Sequence, residues 1–339
     1  MRGRKSIGLC LLTSMIIGML VGCSCSHRYT STETAGIFAD KQIHYTCTEC
    51  GHTYSETVAP ATKRIKILAI GNSFNNNSSS LLYDIAKDAG AEDIVIGCLW
   101  IGGSQFSDHA ANIKSSAKNY EYRKNTTGKW ITRQNYTMLQ GLQDEDWDFI
   151  AINQSSLNAG LPDQYGTDLE TVSKFLHENK PEGAELWFNM TWAYDADYTA
   201  NANFGTYYDF DPQKMYEAIR ETCRTTVMDS GYYEGLITCG TTMQNMRTAW
   251  VSDLITQDGY HASLHLGCYA LGVTWLATFT DVDVEALDWF PRQGSRWGLA
   301  YDNALREAAK EAVINTMKSP FEPTDSTQHV ERPDFEAIH

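Results

Sequence analysis

Two short stretches, far apart in the chain, carry residue types that together do acyl chemistry. Ile67-Leu68-Ala69-Ile70 is an apolar run that stops at Gly71 and then presents Asn72-Ser73-Phe74. Asp258-Gly259-Tyr260-His261 sets a carboxylate and an imidazole three positions apart. A serine hydroxyl becomes a useful nucleophile when an imidazole within hydrogen-bond reach takes its proton, and a carboxylate fixes the tautomer of that imidazole. Ser73, His261 and Asp258 would supply the three groups. Each half also has a plainer reading. Ser73 after a strand would cap the next helix, and Asp258 with His261 would form an Asp-containing turn with a surface imidazole.

These groups need elements to position them. Short apolar runs alternate with helical segments from about residue 63 onward. Ile65–Ile70, Ile94–Trp100, Phe149–Asn153, Glu185–Met190 and Leu236–Thr238 read as strands. Ser79–Ala89, with Leu81, Leu82, Ile85 and Ala86 on one face, reads as a helix, as do Thr167–Asn179, Pro212–Met228 and Ala300–Met317. Apolar strands alternating with helices imply a parallel sheet covered on both faces, an α/β fold of three layers. In such sheets ligands bind beyond the carboxyl ends of the strands. Gly71-Asn72-Ser73, Ile101-Gly102-Gly103-Ser104 and Asn153-Gln154-Ser155-Ser156 each follow a strand and fall at that edge.

With these blocks in order, the chain resembles the SGNH (GDSL-like) hydrolases, closest to a gut-bacterial branch whose first block is written Gly-Asn-Ser-Phe. The resemblance runs over most of residues 66–280. It includes Ile70 to Phe74, Gly102-Gly103 followed by His109, Trp147-Asp148-Phe149, Thr191-Trp192-Ala193-Tyr194, Gly240 to Thr248, and Gln257 to His261. It implies a flavodoxin-like α/β/α fold and esterase activity without cofactor or metal. It makes Ser73 the nucleophile, His261 the general base and Asp258 its orienting partner. It implies an oxyanion hole from the Ser73 N–H, the N–H of Gly103 (or of Gly102) and a side-chain amide, Asn153 or Gln154. Asn72 stands where the wider superfamily has Asp, and the third block lacks the Gly-x-Asn-Asp pattern. Within the same pattern, Arg247 beside Gln244 would either meet a substrate carboxylate or pair with an acid of the protein. The aromatic run of Trp187, Trp192, Tyr194, Tyr198, Phe204, Tyr207, Tyr208 and Phe210 would be core or would stack on sugar faces.

The ends of the chain speak to location. Arg2, Arg4 and Lys5 precede an apolar run from Ile7 to Met19, and Leu20-Val21-Gly22-Cys23 resembles a bacterial lipobox. Residues 1–22 are therefore expected as a lipoprotein signal peptide, with a lipid on Cys23 anchoring the chain outside the cytoplasm. Loss of that segment moves the net charge from −15 to −18, a balance that argues against nucleic acid as a partner. Residues 23–62 read as a linker, 63–319 as the hydrolase domain and 320–339 as a flexible tail. Inside the linker, Cys47-Thr48-Glu49-Cys50-Gly51 resembles a small Cys-containing repeat of bacterial surface proteins. As half of a zinc ribbon it lacks a second knuckle; Cys25, His27, His44 and His52 are the only other candidates nearby. A local disulfide, a weak metal site and an evolutionary remnant all remain open. Cys98, Cys239 and Cys268 sit in apolar surroundings and read as small core residues. The function expected is removal of small acyl groups, acetyl above all, from carbohydrate; the competing reading is a non-catalytic surface module that binds glycans or a partner.

Overall fold

The computed structural model describes residues 25–33, 38, 41–58, 63–292 and 298–324. The signal peptide, Cys23 and residues 325–339 of the tail lie outside the described residues. The chain divides into two compact units.

The smaller unit holds β1 (Tyr29–Glu33), β2 (Lys41–Cys47) and β3 (Thr53–Val58), an antiparallel sheet in the order β1-β2-β3. The expected linker is thus partly folded. Its Thr- and Tyr-rich runs are good strand formers, but they are polar, so they read as spacer by composition. Tyr45 stacks on Tyr54 across the β2–β3 pair at 4.5 Å, and Tyr29 meets Tyr54 edge-on at 5.0 Å.

The larger unit is built on seven strands: β4 (Arg64–Gly71), β5 (Asp93–Trp100), β6 (Tyr120–Asn125), β7 (Trp130–Tyr136), β8 (Phe149–Ile152), β9 (Glu185–Asn189) and β10 (Gly235–Ile237). Their order is β10-β9-β8-β4-β5-β6-β7. The five strands from β10 to β5 run parallel; β6 and β7 add an antiparallel hairpin at one edge. That hairpin escaped the sequence reading because its residues, Tyr-Glu-Tyr-Arg-Lys-Asn and Trp-Ile-Thr-Arg-Gln-Asn-Tyr, are mostly polar.

Helices follow in chain order: α1 (Ser73–Ser79), α2 (Leu82–Asp88), α3 (Phe106–Ser115), α4 (Met138–Leu142), α5 (Gly166–Asn179), α6 (Ala202–Tyr208), α7 (Pro212–Thr222), α8 (Cys239–Thr248), α9 (Leu266–Phe279) and α10 (Gly298–Lys318). Ile67, Leu68, Ala69 and Ile70 of β4 are all fully buried; since alternate residues point to opposite faces, both faces of the sheet are covered. α1, α2, α8, α9 and α10 pack among themselves as one group, and α3 packs on α5 as another. This is the α/β fold with a mostly parallel central sheet flanked by helices. α9 is apolar all round and buried, and no helix among the described residues is long and apolar enough to cross a membrane. The start of the expected tail is tied down: Pro320 O accepts from Thr241 Oγ1 (2.7 Å) and Thr324 N donates to Asn245 Oδ1 (2.7 Å).

Candidate active site

Buried asparagines hold the carboxyl ends of β4, β8 and β9. β4 ends at Gly71, where φ is +149° and an added Cβ would lie 2.1 Å from Asn153 Oδ1. Only glycine lets β4 and the segment after β8 approach so closely. Asn72 is the N-cap of α1: its Oδ1 accepts from Phe74 N (3.0 Å) and from Asn153 Nδ2 (3.0 Å). Its Nδ2 donates to the carbonyls of Ser104 (2.9 Å) and Gln154 (3.4 Å). One amide therefore ties together the segments that follow β4, β5 and β8. This accounts for Asn rather than Asp at position 72, because a carboxylate has no donor for the two carbonyls. Asn75 continues the network, with Nδ2 on Ile70 O (2.7 Å) and Oδ1 accepting from Asn189 Nδ2 (2.7 Å).

Because Asn72 caps the helix, the Ser73 hydroxyl is left for another partner. Its Oγ lies 2.9 Å from His261 Nε2, and His261 Nδ1 lies 2.7 Å from Asp258 Oδ2. Asp258 Oδ1 accepts from the backbone N–H of His261 (2.8 Å) and of Tyr260 (3.3 Å). Partial burial would raise the Asp258 pKa, but the hydrogen bonds from His261 and Tyr260 and the His261 charge outweigh it, and the carboxyl lies below its ordinary value.

The loop that carries Asp258 and His261 is pinned from several sides. Asp195 N donates to Gly259 O (2.7 Å) and Trp192 Nε1 to Tyr260 O (2.8 Å). Gln257 N donates to His261 O (3.0 Å), closing the turn. Asp195 itself is 5% exposed; it accepts from Thr256 Oγ1 and pairs with Arg247 Nη2 at 2.9 Å. Arg247 also donates to Ala193 O (3.1 Å) and Gln244 Oε1 (3.0 Å), so its charge is spent on the loop scaffold.

Ser73 and His261 open into a cleft of about 510 Å³, whose walls include Trp100, Gly103, Ser156, Asn158, Tyr194 and Tyr260. The Tyr260 ring lies 3.9 Å from the His261 ring, and the Tyr194 hydroxyl meets Ser156 Oγ at 2.8 Å. The backbone N–H groups of Ser73 and Gly103 donate to nothing among the described residues. An acyl carbonyl entering here would meet a hydroxyl able to pass its proton to an imidazole, beside two free backbone donors.

The other expected residues lie elsewhere. Asn153 is fully buried, and its amide N–H groups go to Asn72 Oδ1 (3.0 Å) and Gln154 O (2.8 Å). Gln154 is fully buried too; its Nε2 donates to Gln164 O (3.0 Å), while Oε1 accepts from Phe106 N (3.2 Å) and Ser155 N (2.9 Å). Both amides thus shape the wall behind the cleft instead of lining it. His109 is buried between Tyr120 OH (2.7 Å) and Ser104 Oγ (3.3 Å), and burial holds its pKa down at about 4. Of the aromatic run, Trp192, Phe204 and Tyr208 are core, Tyr207 and Phe210 are exposed away from the cleft, and Tyr194 alone lines it. Sequence reasoning missed Asn75, Asn189, Trp100, Asn158 and Tyr260. The signal for Asn75 and Asn189 was present: amides in or just after strongly apolar strands must find buried partners.

The chain belongs to the DUF4886 family, described as a domain of unknown function, whose pattern matches residues 66–311. A crystallised DUF4886 family protein from Bacteroides uniformis ATCC 8492 is 30% identical, with a TM-score of 0.72 over 78% of this chain and 99% of that one. A protein from Slackia heliotrinireducens proposed to be an SGNH hydrolase is 18% identical, with a TM-score of 0.43 over 62% of this chain and 97% of its own. Axe2, an acetylxylan esterase from Geobacillus stearothermophilus, is 11% identical, with a TM-score of 0.39 over 63% of this chain and 94% of its own. Among curated proteins none matches the chain.

Proposed function

We propose that the chain is a serine esterase of the SGNH type that removes small acyl groups, acetyl foremost, from carbohydrate, held outside the cytoplasm by a lipid on Cys23. The observation that carries the reading is the continuous path from Ser73 Oγ to His261 Nε2 (2.9 Å) and from His261 Nδ1 to Asp258 Oδ2 (2.7 Å), at the mouth of a cleft. Ser73 Oγ attacks the acyl carbonyl as its proton passes to His261 Nε2. Asp258 stays ionised, holds the Nδ1–H tautomer and stabilises the imidazolium. The carbonyl oxygen gathers negative charge against the N–H groups of Ser73 and Gly103, each worth about 3 kcal/mol to the transition state. Collapse of the tetrahedral intermediate breaks the ester C–O bond, and His261 returns the proton to the departing alcohol. Water, deprotonated by the same imidazole, then releases the acyl group as a carboxylic acid and restores Ser73.

The walls of the cleft support the substrate class. The hydroxyls and amides of Ser156, Asn158 and Tyr194 beside the rings of Trp100 and Tyr260 suit a sugar, which offers hydroxyls and an apolar ring face. The anchor and location rest on the basic start, apolar core and lipobox of residues 1–23. The test is release of acetate from acetylated xylo-oligosaccharides and of p-nitrophenol from its acetate ester. Ser73→Ala is expected to lose about 10⁴-fold or more in kcat on both. Equal rates for the two proteins would refute the esterase; activity on the nitrophenyl ester alone would refute the carbohydrate assignment.

A further inference from the structure

The smaller unit is short of the usual means of holding a fold together. Of its described residues, Cys47 alone is a buried hydrophobic, at 2% exposure, and every residue of β3 is exposed. Three short strands without a core are marginal in water, and folded pieces below about 40 residues generally carry a disulfide, a metal or a partner. Aromatic pairs across the strands help. They leave the unit's three thiols among the described residues, Cys25, Cys47 and Cys50, unaccounted for.

Those thiols converge. Cys25, His27, Cys47 and Cys50 each offer a ligand atom, and all four atoms lie within 4.8 Å of one another. Cys25 Sγ is 3.8 Å from Cys47 Sγ, and Cys50 Sγ is 3.3 Å from His27 Nδ1. All three cysteines are free, and the Cys25–Cys47 separation is well beyond the roughly 2.05 Å of a disulfide. It does equal the edge of a tetrahedron around zinc: with Zn–S near 2.3 Å, two thiolates stand about 3.8 Å apart.

The backbone is shaped for the same purpose. After Cys50 the chain turns at Gly51, with φ +72° and open space around its missing Cβ, so conformation and not crowding calls for glycine there. Gly51 N donates to Cys47 O (3.0 Å) and Cys47 N to His52 O (2.8 Å), closing the Cys-x-x-Cys-Gly turn. Thr48 N and Oγ1 both donate to Arg28 O (2.9 and 3.2 Å), which draws the Cys25-x-His27 segment against the turn. The missing second knuckle is thus a Cys-x-His pair at the head of β1. Its spacing differs from that of a paired Cys-x-x-Cys ribbon, which is why spacing alone did not single it out.

We propose that Cys25, His27, Cys47 and Cys50 form a closed, structural zinc site that staples the three-stranded sheet. Three thiolates and one imidazole in tetrahedral array favour zinc over harder cations and leave no open position for catalysis. Zinc binding displaces the thiol protons and links the head of β1 to the β2–β3 turn, so metal affinity and folding of the unit are one equilibrium.

The test uses the chain without its signal peptide, residues 23–339, with its thiols reduced, loaded with zinc and desalted. One zinc per chain is expected by elemental analysis. Cys25→Ser, Cys47→Ser and His27→Ala each should retain little or none. His44→Ala, in the same sheet but bonded to Ser55 and outside the cluster, should retain it all. Cobalt titration of the unaltered chain should give thiolate-to-metal charge-transfer and tetrahedral ligand-field bands, a readout that does not depend on any variant folding. Absence of those bands, equal zinc in the ligand variants, or a disulfide joining two of the three cysteines in the chain isolated from cells would overturn the site.

Discussion

Where β4 and β8 begin, charges tie the sheet; where they end, neutral amides do. At the first edge Arg64 pairs with Asp148 (3.1 Å), Lys66 with Glu145 (2.9 Å), and Lys124 of β6 with Asp144 (2.7 Å) and with Glu145. Asp148 also accepts from Lys66 N (2.8 Å). At the second edge Asn72, Asn75, Asn153 and Asn189 join the strand ends without a formal charge. Among the described residues the Asp258 carboxylate therefore bonds to no Lys or Arg that would compete with His261, while the amides hold the segment that carries Ser73 by hydrogen bonds that no change of pH can remove. The Asp195–Arg247 ion pair near the site lies against the loop that carries Asp258 and His261 and serves to hold it.

This contrast can be broken from either end, and the effects are graded. The largest belongs to the site's own charge. Asp258→Asn keeps the shape but offers His261 Nδ1 an amide that can hold the wrong tautomer, so kcat should fall about 10⁴-fold with little change in melting temperature. A drop below tenfold would mean that the carboxylate does not orient the imidazole.

Next comes the neutral edge. Asn72→Asp puts a carboxylate against the carbonyls of Ser104 and Gln154 and should cost about 2 kcal/mol, read as a lower denaturation midpoint at unchanged m-value. An unchanged midpoint would show that neutrality there is incidental.

The smallest effect is at the charged edge. Burial would raise Asp144 and Glu145, but the Lys124 ammonium overrides it, and both fall below their ordinary 3.8 and 4.5. Carboxyls depressed on folding add stability that is complete above those ordinary values and lost as pH falls through the depressed ones. Lys124→Met should therefore lower stability by about 1 kcal/mol at pH 7, with the gap to the unaltered chain closing below about pH 4. A gap that stays constant down to pH 3 would assign the loss to packing.

The same contrast explains what could be read from the sequence. β4, β5, β8 and β9 were legible because parallel strands covered on both faces read as short, mostly apolar runs. Ser73 and Gly103 sit in blocks that follow such runs, whereas Asp258 and His261 were legible from their three-residue spacing and from the resemblance. β6 and β7 were hidden: an edge hairpin carrying Arg123, Lys124, Arg133 and Gln134 has no apolar run. Asn153 and Gln154 were legible as amides at the right edge. Which way an amide turns is decided by partners from other segments, here Asn72 and Gln164, which one-dimensional order does not supply. Likewise, the four-residue cluster of the small sheet becomes visible only when β1 pairs with β2 and brings Cys25 and His27 to the Cys47–Cys50 turn.

The central claim is that Ser73 is a nucleophile activated by His261. A fluorophosphonate ester tests it most directly, because it labels only a serine that attacks. Peptide mapping by mass spectrometry after treatment should find one phosphonyl adduct, on Ser73, absent in Ser73→Ala and greatly slowed in His261→Ala. A folded chain that takes no label, or takes it equally well when Ser73 is alanine, would contradict the account.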